Sequence, residues 1–317
     1  MSWLVTGGAG YIGSHVAAAL LDAGMNVVIA DDLSTGREQF LPPGAEFARG
    51  SILDGDFLAT TMKRAGTSGV VHVAGFKYAG VSVERPLHTY EQNVTGTAVL
   101  LRAMAECGVG RIVFSSSASV YGTPDVELVT EDTAKAPESP YGETKLIGEW
   151  LLADEGRARG LAHVSLRYFN VVGSGLPYVF DVSPHNLFPL VFDALLAGMP
   201  PTINGNDYAT PDGTCVRDYV HVTDVAAAHV AAARQLEAGT PLEPAYNLGS
   251  GRGSSVAEIM RAVADVTGIG FTPVVGPRRA GDPARIVASG ALAARDLDWK
   301  MRYSLTEMVA SAWAARR

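Results

Sequence analysis

Tyr141 and Lys145 stand four positions apart in the stretch Tyr141-Gly142-Glu143-Thr144-Lys145. On a helix that spacing puts both side chains on one face, one turn apart. A free phenol ionises near ~10, so a tyrosine serves as a base near neutrality only if a cation stabilises its phenolate. An ammonium one turn away is such a cation. Ordinary solvated helices carry the same spacing, so the rest of the chain has to decide between the two.

The elements before this pair form a repeating pattern. Ser2 to Thr6 is a short β-rich run that feeds Gly7-Gly8-Ala9-Gly10-Tyr11-Ile12-Gly13, and a helical pattern follows from Ser14 to about Ala23. A strand, a glycine turn and a helix together suit a pyrophosphate, which meets free N–H groups and the positive end of the helix dipole. The spacing is G-x-x-G-x-x-G, not the commoner G-x-G-x-x-G. Met25 to Ala30 is a second apolar strand, and it ends in Asp31-Asp32. An acid about 20 residues past the glycines accepts from adenosine ribose hydroxyls and repels a 2′-phosphate, which favours NAD over NADP. Asp31 is the stronger candidate, because Asp32 also suits a solvated turn. Arg37, after a Ser-Thr-Gly turn, reads as surface.

Alternation continues. Glu46 to Arg49 reads as a strand leading into Gly50-Ser51-Ile52, and Asp54 to Ala65 as a helix with Asp54 as N-cap. Val70 to Val73 is a buried strand that opens onto Ala74-Gly75-Phe76-Lys77. A helix from about Pro86 to Glu106 carries Asn93, and a fifth strand, Arg111 to Phe114, ends in Ser115-Ser116-Ser117. The expected fold class is α/β, a doubly wound parallel sheet of Rossmann type with a smaller mixed α/β substrate-binding domain. Ligands of such sheets lie beyond the carboxyl ends of the strands. Gly7–Gly13, Asp31, Ala74–Lys77 and Ser115–Ser117 all fall there.

Composition narrows the class. The chain has 317 residues, 47% hydrophobic and 18% charged, with net charge −8. That balance suits a well-packed globular protein and argues against a nucleic-acid surface. The first residues enter an apolar strand at once, and no apolar run has the length of a membrane span, so a cytoplasmic location and no membrane partner are expected. Cys107 and Cys215 form no disulfide framework, the histidines are scattered, and no metal is expected.

The motifs now carry a family signature. Thr6 to His15, Ser115-Ser116-Ser117-Ala118-Ser119-Val120-Tyr121-Gly122 and Ser139-Pro140-Tyr141-Gly142-Glu143-Thr144-Lys145 resemble those of the extended short-chain dehydrogenase/reductases. Arg167-Tyr168-Phe169-Asn170 and Asp212 to Val222 are similar to the UDP-glucose (UDP-galactose) 4-epimerase branch. That resemblance implies catalytic roles for Ser117, Tyr141 and Lys145. Tyr141 would take the proton of the sugar 4-hydroxyl, Lys145 would lower its pKa, and Ser117 would hydrogen-bond the 4-oxygen while C4 gives hydride to a resident NAD. It implies that NAD is held by Gly7, Gly10, Tyr11, Ile12, Gly13, Asp31, Asp32, Leu33, Ser34, Thr35, Gly36, Ser51, Ile52, Val73, Ala74, Gly75, Lys77, Asn93, Ser115, Tyr141, Lys145 and Tyr168. It places the UDP-sugar against Lys77, Ser117, Ser119, Tyr141, Phe169, Asn170, Asn186, Leu187, Thr202, Ile203, Asn204, Arg217, Arg279, Asp282 and Ile286. Related dehydratases carry an acid pair where this chain has Ala118-Ser119, so dehydration is disfavoured.

The second half is read the same way. Residues 1–178 are expected to form the NAD-binding domain, with 217–249 returning to it, and 179–317 the UDP-sugar domain. His185-Asn186-Leu187 is expected to open a helix to about Ala197, Val222 to Gln235 and Ser255 to Val266 to be helices, and Ala245 to Leu248 a strand. By resemblance Arg217 grips the pyrophosphate and the Arg279-x-x-Asp282 pair the uridine ribose. The simpler reading of Arg217 is an ion pair with an acid such as Asp218. Helices near 86–106 and 140–156 are the family's dimer face, which implies a homodimer. Two positions depart from the family. Ser51 stands where an Asp usually contacts adenine, and Ile286 stands where a large Tyr excludes N-acetyl sugars and a small residue admits them. Ile286 is intermediate in size, so UDP-GlcNAc, UDP-glucuronate, UDP-arabinose or a TDP-hexose stays open as the sugar. A non-catalytic NAD sensor is the reading from another class, and the intact Ser117, Tyr141 and Lys145 argue against it.

Overall fold

The computed structural model describes residues 1–279 and 282–317. Seven strands make one sheet: β1 (Ser2–Thr6), β2 (Asn26–Asp31), β3 (Glu46–Arg49), β4 (Thr67–His72), β5 (Arg111–Ser117), β6 (Ala162–Tyr168) and β7 (Ala245–Leu248). Their order is β3-β2-β1-β4-β5-β6-β7, with every neighbouring pair parallel. A parallel sheet is covered on both faces, which is why all five residues of β1 are buried. The strand order reverses between β1 and β4, the point at which such sheets leave a crevice.

Helices α1 (Tyr11–Asp22), α2 (Gly55–Ala65), α3 (Gly96–Glu106) and α4 (Pro140–Arg159) follow strands β1, β3, β4 and β5. One face of the sheet packs against α1 and a later alanine-rich helix, Val222–Ala238, whose Ala226, Ala228, Ala232 and Ala233 are buried beside Val16, Ala17 and Leu20. Small side chains let those two helices approach closely. The other face packs against α2 and α3 through Leu58, Met62, Leu100 and Met104.

Beyond β6 a second lobe grows around Phe188, Phe192, Ile259, Met260, Val263 and Trp313. It is stitched by short strand pairs: Thr202–Asn204 with Val274–Gly276, and Val216–Arg217 between Ser254–Ser255 and Arg285–Ile286. Between these segments the chain returns to the main sheet as β7, beside β6.

Several boundaries differ from the pattern in the sequence, each for a local reason. Helix α1 starts at Tyr11, three residues earlier than its apolar periodicity, because Gly10 takes an extended conformation and acts as N-cap. Strand β4 is Thr67–His72, which leaves Val73 beyond its end. Strand β5 runs to Ser117, because Ser115, Ser116 and Ser117 pair with Leu166, Arg167 and Tyr168 of β6. The stretch from Pro86 to Glu106 is helical throughout, but a π turn at Glu91–Thr95 interrupts it and turns Asn93 inward. The helix expected from His185 is Leu187–Leu196, and Asn186 precedes it in an extended conformation.

Helix α4 carries the tyrosine and lysine, and its seating is set by a cap and two glycines. The Ser139 hydroxyl accepts from Gly142 N at 3.2 Å, and Pro140 fills the first turn without wasting a donor. A Cβ on Gly142 would lie 2.5 Å from the Ser119 carbonyl, and one on Gly148 would lie 2.6 Å from the Phe114 ring. Gly148 therefore lets the helix touch β5, and Gly142 lets it touch the turn that follows β5. Gly148→Ala should force α4 off the sheet and destabilise the fold by about 1–3 kcal/mol, the usual range for overpacking. A fall in the urea midpoint checks this, and an unchanged midpoint would refute the contact.

Candidate active site

The three serines that end β5 are divided among three tasks. The Ser115 hydroxyl meets His229 Nε2 at 2.9 Å, and its carbonyl accepts from Lys145 Nζ at 2.9 Å. The Ser116 hydroxyl donates to Glu149 Oε1 at 2.6 Å. That leaves the Ser117 hydroxyl for the crevice, where it donates to Ser119 Oγ and accepts from Ser119 N, each at 3.2 Å. His229 Nδ1 lies 2.8 Å from the Val225 carbonyl and so carries the proton, which makes Nε2 the acceptor for Ser115.

Lys145 is 6% exposed, and its ammonium sits 5.0 Å from the centre of the Phe114 ring and 5.8 Å from that of Tyr141. Burial lowers its pKa to about 8, and the nearby Glu149 charge pulls the other way. Burial pushes the Tyr141 phenol up, and contact with Ser117 draws it back. Each group is therefore costly to charge alone. Charged together they compensate, because an ammonium and a phenolate attract strongly where water is scarce. No hydrogen bond joins Lys145 to Tyr141, so any influence of the ammonium on the phenol is through its field. Its ammonium has three donors and spends one on Ser115.

The glycine turn fits a dinucleotide. Gly7 takes a left-handed φ of 72°, and a Cβ on Gly13 would lie 2.1 Å from the Gly7 carbonyl. The first turn of α1 has no side-chain cap and no acid, so its N–H groups can take phosphate oxygens. The Tyr11 hydroxyl is turned away and donates to the Gly173 carbonyl at 2.6 Å, so Tyr11 has its backbone to offer here, while Ile12 packs against the core. Asp31 is buried at the end of β2, where Ala9 N and Leu33 N donate to its two oxygens at 3.0 and 2.8 Å. Burial raises its pKa and these donors oppose the rise. Asp32 is exposed and accepts from Ser34 N, and Thr35 and Gly36 continue that turn. Ser51 caps its own turn through Leu53 N, and Ile52 is buried against Gly96.

Opposite, the loop after β4 is anchored by Asn93. Its Oδ1 accepts from Phe76 N at 2.6 Å, and its Nδ2 donates to the Phe76 carbonyl at 3.0 Å and to Thr144 Oγ1 at 2.9 Å. The loop Val73–Lys77 is thereby tied to the helix that carries Tyr141, with Gly75 and Lys77 exposed. Tyr168 ends β6 beside His229, and burial raises its phenol pKa.

The second-lobe candidates occupy the adjoining side. Asn170 donates Nδ2 to the Asp218 carbonyl at 3.0 Å, and Asn186 donates Nδ2 to Asp181 Oδ2 at 2.7 Å just before Leu187. Thr202, Ile203 and Asn204 form the expected extended segment, and Asn204, with its amide oxygen turned to the guanidinium, accepts from Arg279 Nε at 3.0 Å. Arg217 pairs with Asp282 at 3.1 Å rather than with Asp218. Asp218 is fully buried and accepts from Ser250 N and Ala288 N. Ile286 and Phe169 lean together on a buried cluster of Val120, Tyr121, Val129, Leu146 and Ala288.

One supporting group escaped the motif reading. Glu149 pairs bidentately with Arg167, at 2.8 and 2.6 Å, and Arg167 also donates to the Tyr121 hydroxyl at 2.7 Å. Its signal was present in the sequence: Tyr141, Lys145 and Glu149 follow one another at intervals of four along a single helix face.

Comparisons with known proteins agree with this geometry. Residues 3–249 match the model of the NAD dependent epimerase/dehydratase family. The UDP-glucose 4-epimerase of Streptomyces lividans is 42% identical over 98% of this chain and 94% of its own. A crystal structure of a UDP-glucose 4-epimerase superposes with a TM-score of 0.96 at 42% identity, covering 100% of this chain and 97% of that one. The Brucella ovis enzyme of that name, solved in complex with NAD, superposes with a TM-score of 0.94 at 40% identity, covering 98% and 97%. With more than half its length matched and its relatives aligned from end to end, this chain belongs to the NAD-dependent epimerase/dehydratase family.

Proposed function

We propose that this protein interconverts UDP-glucose and UDP-galactose with NAD as a resident cofactor. The observation that carries the reading is the meeting of Ser117, Tyr141 and Lys145 beside a glycine turn, in a chain similar to UDP-glucose 4-epimerases over its whole length. NAD supplies reversible hydride acceptance from sugar C4 when bound. Tyr141 takes the proton of the 4-hydroxyl and later returns one. Lys145 holds the phenolate charge, fixed in place by the Ser115 carbonyl. Ser117 donates to the 4-oxygen, and the UDP-linked 4-keto sugar would turn over so that the hydride returns to its other face. Arg217, Arg279, Asn186 and Asn204 offer donors to the UDP group.

Protein purified without added NAD should convert UDP-galactose to UDP-glucose, and Tyr141→Phe should lose at least about a hundredfold in turnover, as expected for a lost general base, while keeping its NAD. A side-by-side panel of UDP-glucose, UDP-GlcNAc, UDP-glucuronate, UDP-arabinose and TDP-glucose settles the sugar. No conversion of any of them would overturn the reading.

The pH profile follows from Lys145. It is cationic below its pKa of about 8 and neutral above it, so the phenolate loses its partner as pH rises past that value. Turnover should fall on the alkaline side of about 8, and a rate still climbing well above that point would remove Lys145 from this role.

We also propose a homodimer. Val83, Leu87 and Trp150 are 62%, 84% and 58% exposed on neighbouring helices, an apolar surface that a second copy would cover. Leu87→Glu should convert a dimer to a monomer by light scattering, and no change in mass would reject that face. Among the described residues no helix is long and apolar enough to cross a membrane. With both cysteines unpaired, a reducing cytoplasm is the location we infer.

A further inference from the structure

Four rings form a line from the segment after β4 to the second lobe. Phe76 meets His88 edge-on at 5.2 Å and Tyr78 edge-on at 5.6 Å, and Tyr78 meets His185 edge-on at 5.0 Å. The first three belong to the sheet domain, in and beside the loop after β4. His185 belongs to the second lobe and directly precedes Asn186 and Leu187. The line therefore crosses from one lobe to the other between residues assigned above to the two ligands. Lys77 lies within it, with Nζ 5.6 Å from the centre of the Tyr78 ring.

The near end of this line is firmly held. Asn93 fixes the Phe76 backbone to Thr144, and the Ser82 hydroxyl, at the far end of the same segment, accepts from Tyr141 N at 3.1 Å. Residues 76–82 are thus tied twice to the helix that carries Tyr141. On the second lobe Asp181 holds its loop together by accepting from Ser183 N and Asn186 Nδ2. The Tyr78–His185 contact joins two segments that are each braced from within.

We infer that Tyr78 and His185 are positioning residues that latch the second lobe onto the Lys77 loop and keep the oxidised sugar in its pocket. This rests on the epimerase reading. Between the two hydride transfers the substrate would be a UDP-linked 4-keto sugar, with the hydride held by the bound dinucleotide. If the keto sugar nucleotide escapes, the hydride stays on the dinucleotide and the enzyme stalls in reduced form. Edge-to-face rings suit such a latch, because they hold by shape and quadrupole and can part without leaving a buried charge.

The test compares wild type with Tyr78→Ala, His185→Ala, the double variant and Tyr78→Phe, all purified with NAD bound. Each alanine variant should raise KM for UDP-galactose about fivefold, the size of one aromatic pair, with a smaller change in kcat. Each should also accumulate NADH absorbance during turnover faster than wild type. The double variant should be no worse than the poorer single one, and Tyr78→Phe, which keeps the ring edge, should behave as wild type. Unchanged KM and unchanged NADH accumulation in both alanine variants would overturn the latch, as would additive losses. Inactivity of the wild type towards every sugar nucleotide would instead overturn the epimerase reading on which the latch rests.

Discussion

An ammonium inside a protein must find enough attraction to stay charged, and the site is arranged around that demand at Lys145. Its one hydrogen bond goes to a strand carbonyl, its ammonium sits over the Phe114 ring, and burial leaves its pKa at about 8. A lysine held that far below its ordinary value discharges close to working pH, so small changes in its surroundings change its charge. The neighbouring features keep those surroundings constant. Gly148 lets α4 lie on Phe114, Ser115 is held by His229, and Ser116 is held by Glu149.

Glu149 and Arg167 form the second constraint. Their side chains are 10% and 6% exposed, and the pair is completed by Ser116 and Tyr121. A buried pair with its remaining valences filled is tolerable, and losing one partner typically costs about 3–5 kcal/mol. The network connects α4, β5 and β6 through Glu149, Ser116 and Arg167. It continues through the Tyr121 hydroxyl to Asn247 on β7, at 2.8 Å. The strand β7 is thus tied to α4 by polar contacts as well as by the sheet.

Much of the fold could be read from residues alone, because strand runs, glycine turns and helix periodicity are local signals. Asp54 and Ser139 cap helices by rules that act within four residues. What escaped depends on partners distant in sequence. The last residues of β5 count as strand only because β6 lies beside them. The inward turn of Asn93 needs a π turn that no periodicity announces. Arg217 meets Asp282, 65 positions away, and not its neighbour Asp218, because strand pairing brings Ile286 alongside Arg217 and Asp218 serves the backbone of Ser250 and Ala288. The Tyr78–His185 contact joins segments that no sequence spacing connects.

Ile286 and Phe169 pack against a buried cluster whose members include Tyr121 and Leu146. Leu146 directly follows Lys145, and Tyr121 holds Arg167. Under the proposed function, the wall that would gate the sugar shares its foundation with the helix that carries Tyr141. A smaller residue at 286 therefore loosens the packing behind α4. For a lineage descended from this chain, changing diet and keeping speed are not independent steps: an altered substrate range at this wall calls for compensating growth in the cluster behind it.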